Sequence, residues 1–144
     1  MWIQQQGFSY WHNYPKKYQT EDDINSKHLY KYSDSDIIKA VITLDESQFY
    51  PWSSVHWSRT DDKPLVVHRL AVHPEHQNRG LGKILMQFAE DFGLKHNNKT
   101  IRLDVSADNK AVNHFYISLG YAYRGSVYLP VRDIPFNCYD KSIS

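Results

Sequence analysis

Apolar and polar positions follow two different periods along this chain, and each change of period marks an element. Leu65–Val72 (LVVHRLAV) is apolar and rich in β-branched residues, which predicts a largely buried strand. A polar corner follows. From Gly80 onward Leu81, Ile84, Leu85, Phe88 and Phe92 recur at helical spacing, which predicts an amphipathic helix with that face on a sheet. Gly93 and the His96-Asn97-Asn98 tail mark its expected end. Thr100–Ser106 (TIRLDVS) reads as the next strand. A second helix carries Ala111, Val112, Phe115, Tyr116 and Leu119, with Asp108 as its cap and Gly120 just past its end. Tyr121–Leu129 and Phe136–Ile143 read as two last strands around the Pro130–Pro135 loop. Earlier in the chain, Pro15–Ile24 predicts a short helix with proline near its start. His28–Tyr32 and Ile37–Leu44 predict a hairpin turning at Ser33-Asp34-Ser35. Asp45–Pro64 is a long polar and aromatic connection with no clear period.

This order predicts a single domain over residues 1–144, an α/β or α+β mixed sheet with helices on both faces. The crossover from Leu65–Val72 to Thr100–Ser106 is long enough for a parallel βαβ unit, so a ligand is expected at the carboxyl ends of those strands. At the corner between them, Gln77-x-x-Gly80-x-Gly82 opens the helix. Backbone N–H groups with no partner inside the helix then point at one spot, in front of the positive end of its dipole. That is an anion site of a size for a pyrophosphate. A dinucleotide fingerprint would need glycine at position 85, which is Leu85. A P-loop would need glycine at 77 and Ser or Thr at 84, which are Gln77 and Ile84.

Composition narrows the partners. With 144 residues and a formal charge of +1, the chain has no strong field to recruit nucleic acid or an anionic membrane. A lone Cys138 excludes an internal disulfide and fits a reducing compartment. The start, MWIQQQG, is too polar and short for a signal peptide, and no apolar run approaches the ~18 residues of a membrane span, so a cytoplasmic location is expected. Eleven tyrosines, six of them within the first fifty residues, fit a core plus a lined groove.

The corner, Gln-x-x-Gly-x-Gly after a strand ending Val72-His73-Pro74, resembles the acetyl-CoA site of the GNAT superfamily of N-acetyltransferases. The segment Asp108-Asn109-Lys110-Ala111-Val112-Asn113-His114-Phe115-Tyr116, with Leu119-Gly120-Tyr121, resembles the family's N-x-x-A-x-x-F-Y-x-x-x-G-F segment, Tyr121 standing for the usual Phe. Cys138-Tyr139-Asp140-Lys141 is similar to the family's last strand. Trp11-x-x-Tyr14-Pro15 resembles the corner that floors the acceptor groove. The resemblance implies a GNAT-like mixed, mostly antiparallel twisted sheet. It also exposes a departure: only Met1–Ser9 precedes that corner, room for the end of a helix and no first strand. The hairpin then has an open edge, and a homodimer covering it, or aggregation, is expected.

The resemblance further implies acetyl-CoA as cosubstrate. Its pyrophosphate would lie on Gln77, Asn78, Arg79, Gly80, Leu81, Gly82 and Lys83, and its pantetheine arm along the backbone of Leu70, Ala71 and Val72, with Asn109 and Phe115 in the second motif. A backbone N–H near Val72 would hold the developing oxyanion. Tyr116 would protonate the leaving thiolate. His68, on the strand that carries the acyl group, is the candidate base, ahead of Asp104, Glu46 and His56. The acceptor would be an amine of a small molecule or peptide, in a pocket built from Trp11–Lys17, Asp45–Pro64 and Pro130–Pro135. The rival reading is an acyl-CoA-binding or regulatory protein with a lost acceptor site. No metal is expected, because His68, His73 and His76 have no acidic or cysteine partner at a defined ligand spacing. Cys138 has no fixed histidine partner and reads as a structural thiol.

Overall fold

The computed structural model describes residues 17–48, 50–60, 63–128, 130 and 133–144. The readings on Met1–Ser9, Trp11, Tyr14 and Pro15 fall outside these residues. The described elements, in chain order, are α1 (Lys17–Asn25), β1 (Leu29–Asp34), β2 (Ile37–Asp45), β3 (Leu65–Val72), α2 (Leu81–Lys95), β4 (Thr100–Ser106), α3 (Lys110–Ser118), β5 (Ala122–Val127) and β6 (Phe136–Ser142). Short 3-10 turns occupy Tyr50–Ser54 and Pro74–His76. The strands form one six-stranded sheet in the order β1-β2-β3-β4-β6-β5. Its one parallel pairing among the described registers is β3 on β4, with Leu65 opposite Ile101 and Val66 opposite Arg102. The crossover between them is α2, as expected of a βαβ unit. No helix among the described residues is long and apolar enough to cross a membrane.

The chain divides into two compact units, residues 1–45 with 67–89 and residues 46–66 with 90–144. In the first, the β1–β2 hairpin turns through Ser35 and Asp36, with φ of 51° and 66°. The turn is therefore two residues long, later than the Ser33–Ser35 expected. Strand pairing continues to Asp34 opposite Ile37 past an irregularity at Tyr32/Ser33. Ala40, Val41, Ile42 and Leu44 are buried on β2 and Ala71 on β3. Asp23 on α1 is buried too, and it is satisfied on both carboxylate oxygens. Arg69 donates to Oδ1 at 2.6 Å and Oδ2 at 2.8 Å, and the Thr43 hydroxyl donates to Oδ2 at 3.0 Å. Such a forked pair ties α1 to β2 and β3 with geometry as well as charge.

On α2 the buried positions are Leu81, Leu85, Met86 and Ala89, whereas Ile84 and Phe88 are exposed. The apolar face is thus rotated from the one its largest side chains suggest. Phe88 instead packs on Tyr30 of β1, ring centroids 5.3 Å apart.

In the second unit the helix continues through Gly93, which does not end it. A Cβ at Gly93 would stand 2.7 Å from Ile143 Cδ1, so glycine there permits close packing of α2 on the last strand's end. Earlier in the chain, the long connection after β2 is ordered by polar anchors. Trp52 is buried, and its Nε1 donates to Asp104 Oδ2 at 3.0 Å. Ser58 donates through both N and Oγ, at 2.8 Å each, to Oδ2 of the buried Asp140. Arg124 Nε donates to the other oxygen at 2.8 Å. Arg102 lies 4.5 Å over the Trp57 ring and donates to Gln48 and to the carbonyl of Arg59. An aperiodic stretch is therefore held by buried charges that each find a partner.

Candidate active site

In the first unit the end of β3 runs into a sharp corner. His73 N donates to the Lys39 carbonyl at 2.7 Å, which fixes the strand's last step. His73 then caps the Pro74–His76 turn, its Nδ1 accepting from Glu75 N at 3.1 Å. Proline at the first position of that turn has a preset φ and no N–H to leave unsatisfied. Gln77 returns in extended conformation, and its Nε2 donates to the Val72 carbonyl at 3.3 Å, clamping the two sides of the corner together. Asn78 and Gly80 take left-handed conformations, φ 64° and 79°. These two reversals aim the chain into α2, where Ile84 N donates to Gly80 O at 3.0 Å.

The N–H groups of Leu81, Gly82 and Lys83 precede the first intrahelical bond and are available to an outside acceptor. A Cβ built on Gly80 meets nothing within 4 Å, so the chain is open on that side of the corner. Leu81 is buried and anchors the helix start, while Asn78, Arg79, Gly80 and Lys83 are exposed. The corner is electropositive: desolvation, and then the Lys39 and Arg79 cations, hold His76 below the usual histidine range. A dianionic group would be attracted here before making any hydrogen bond.

His68 lies two residues ahead of Leu70 on the same strand. Its Nε2 sits 2.5 Å from Asp45 Oδ1, and the other oxygen of that carboxylate lies 3.5 Å from His28 Nδ1. This pairing has no local signal, because β2 and β3 are separated by a connection of some twenty residues. It emerges only once the two strands are neighbours in the sheet.

The same unit brings His73, Glu75 and His76 together, one ligand atom of each within 4.8 Å of the others. The sequence argument that these histidines lack an acidic partner is therefore corrected by Glu75. The His73 Nδ1 lone pair is committed to the turn, however, and a cation there would displace that cap.

In the second unit α3 carries the other motif. Its N-cap is Asn109, whose side chain accepts from Val112 N at 3.2 Å, and not Asp108, which accepts from the Ser106 hydroxyl. With its oxygen spent on the cap, Asn109 has its amide N–H groups left to offer a ligand. Asn113 is buried and fully used. It donates to the carbonyls of Ser106 and Asn109 at 2.9 and 2.8 Å, and accepts from Asn137 at 3.0 Å and the Tyr139 hydroxyl at 2.6 Å. One side chain thus fixes α3 against the ends of β4 and β6. The sequence carries no local signal for this network, because its partners lie on β4 and β6.

Tyr116 is 5% exposed, flanked edge-on by Phe115 and Tyr121 with centroids 5.1 and 5.8 Å away. Its hydroxyl has no hydrogen-bond partner among the described residues. Burial, reinforced by the Asp104 carboxylate, pushes this phenol well above the usual tyrosine range, so it keeps its proton. Burial pushes the Cys138 thiol up to about 12, which makes it a poor nucleophile and consistent with a structural role. Two weaker base candidates are already engaged: Asp104 accepts from Trp52, and Glu46 accepts from Asn98 Nδ2 at 2.8 Å beside the start of β4. His56 is exposed.

The sequence profile described as "Acetyltransferase (GNAT) family" matches residues 2–121. The uncharacterized N-acetyltransferase YesJ of Bacillus subtilis (strain 168) is 29% identical over 130 residues, 87% of this chain and 71% of that protein. A GNAT-family acetyltransferase structure from Streptococcus agalactiae 2603 superposes with a TM-score of 0.77 at 20% identity, covering 92% of this chain and 75% of that one. A structure from Bacillus anthracis str. Ames, in complex with acetyl coenzyme A, superposes with a TM-score of 0.64 at 18% identity, over 80% of this chain and 61% of that one. At these identities the structural likenesses speak for the fold alone.

Proposed function

Because this chain belongs to the acetyltransferase (GNAT) family, we propose that it is an N-acetyltransferase moving the acetyl group of acetyl-CoA directly to a primary amine of a small molecule or peptide. The observation that carries this reading is the open, electropositive corner at Gly80, where a Cβ would meet no atom within 4 Å and a fifteen-residue helix begins. The pyrophosphate of acetyl-CoA lies on the backbone of Gln77–Lys83, with Arg79 and Lys83 adding charge. The pantetheine arm runs along Leu70, Ala71 and Val72 as an added strand would. A backbone N–H near Val72 takes the oxyanion. Asn109 donates to the arm from its amide nitrogen, and Phe115 packs beside it.

Two proton transfers remain. An amine with a pKa of ~10.4 is neutral in only about one molecule in two thousand at pH 7, so removing its proton is worth several kcal/mol. His68 takes that proton. On the other side of the reaction Tyr116 donates to the departing sulfur. A phenol held above its usual range is a weaker acid, and the same burial would raise a thiol leaving beside it. Attack of the amine nitrogen on the thioester carbon forms the C–N bond, the C–S bond breaks, and the sulfur leaves with the phenol's proton.

The test is a panel of α- and ε-amines, free and within peptides, assayed for release of the CoA thiol and for product that carries an added acetyl group by mass. Amine-dependent thiol release with an acetylated product is expected. Tight acetyl-CoA binding with no acetylated product across the panel would contradict the transfer reading.

A further inference from the structure

We propose that Asp45 is the positioning residue for His68: its carboxylate fixes the ring's tautomer and presents Nδ1 as the atom that accepts the amine's proton. This inference rests on the acetyl-transfer reading above and deepens it at the base.

The geometry is specific. Asp45 is the last residue of β2 and His68 lies mid-strand on β3, its neighbour in the sheet. Their closest atoms are Oδ1 and Nε2, 2.5 Å apart, and the two side chains are only 19% and 9% exposed. A carboxylate can only accept, so Nε2 must be the protonated nitrogen. A neutral imidazole carries one proton, and the lone pair therefore resides on Nδ1. The same bond holds the ring's rotation, as a carboxylate behind an imidazole does wherever such a pair serves as a base.

Asp45 is itself held in place. Its second oxygen lies 3.5 Å from His28 Nδ1. His28 in turn is pinned by its backbone, donating to the Asp23 carbonyl and accepting from Leu44 N, each at 2.9 Å. In the reaction the proton of the attacking amine moves to His68 Nδ1 while the nitrogen's electron pair forms the bond to the acetyl carbon. The resulting imidazolium, paired with the Asp45 carboxylate, returns its proton to solvent once the amide has formed. No other reactant is required.

The competing explanation is a buried pair that only cements β2 to β3. It predicts lost stability on mutation and no dependence of chemistry on the tautomer. The ring nitrogens of the wild-type protein are therefore to be read by 15N–1H long-range correlation NMR, with His68→Gln used to assign its signals among the eight histidines. We expect a protonated Nε2 and a bare Nδ1. Asp45→Asn should lower kcat by about 10²-fold or more, leave KM for acetyl-CoA within twofold, and disturb that tautomer, while Asp45→Glu should recover part of the rate.

A wild-type ring protonated on Nδ1 would overturn the proposal whether or not any variant folds. So would a folded Asp45→Asn enzyme with wild-type kcat. Failure of the transfer reading looks different, since the wild-type protein itself would then give no acetylated amine.

Discussion

Two tyrosines show how a hydroxyl's partners separate chemistry from stability. Tyr139 donates to Asn113 at 2.6 Å, inside the network that fixes α3, so Tyr139→Phe should cost about 1–2 kcal/mol in chemical denaturation. Tyr116 is equally buried, yet its hydroxyl has no partner among the described residues. Tyr116→Phe should therefore leave stability nearly unchanged. On an accepted amine it should lower kcat by about 10²-fold, with little change in affinity for acetyl-CoA. A variant that turned over normally would reduce Tyr116 to a packing residue. Because burial raises this phenol, its acid form persists through neutral and moderately alkaline pH, and its loss should not limit the rate there. Tyr116 was legible as a candidate from its motif. The pairing of Asp45 with His68 was not, since nothing local joins residues on two strands so far apart in sequence.

At the scale of elements, strands and helices were legible where one period held for a whole element. Leu65–Val72 and Thr100–Ser106 appear with the bounds expected. The misses have physical causes. Gly93 was read as punctuation, but packing against Ile143 gives glycine a use inside α2. Asp108 and Asn109 are both good caps, and only backbone geometry chooses Asn109. In the hairpin, three polar residues suggested one turn while the pairing register set another. Ser35 and Asp36 both take the positive φ of a two-residue turn, a conformation that Asn and Gly adopt at lower cost. The double substitution Ser35→Asn, Asp36→Gly should then stabilise the protein by roughly 0.5–1 kcal/mol. Lower stability in equilibrium denaturation would show that the turn is not of this type.

For the whole molecule, the mixed sheet and the β3–α2–β4 crossover followed from the order of elements. The placement of β6 between β4 and β5 did not, because a return strand can pair on either side of its predecessor. Of the candidate site, the corner was readable from glycine spacing, since the need for left-handed backbone is local. The buried charges that order the connection after β2 were not, because each partner is remote in sequence. Isothermal titration calorimetry of acetyl-CoA against the wild-type protein and Gly80→Val decides whether the corner at Gly80 is an acyl-CoA site. A Cβ at Gly80 meets no protein atom, so the variant's loss of stability should be the backbone strain of a left-handed valine, about 1–2 kcal/mol. Wild-type binding in the micromolar range, roughly −8 kcal/mol, is expected, with at least about tenfold weaker binding by the folded variant. Wild-type affinity in Gly80→Val, or no binding by the wild-type protein at millimolar acetyl-CoA, would contradict that assignment.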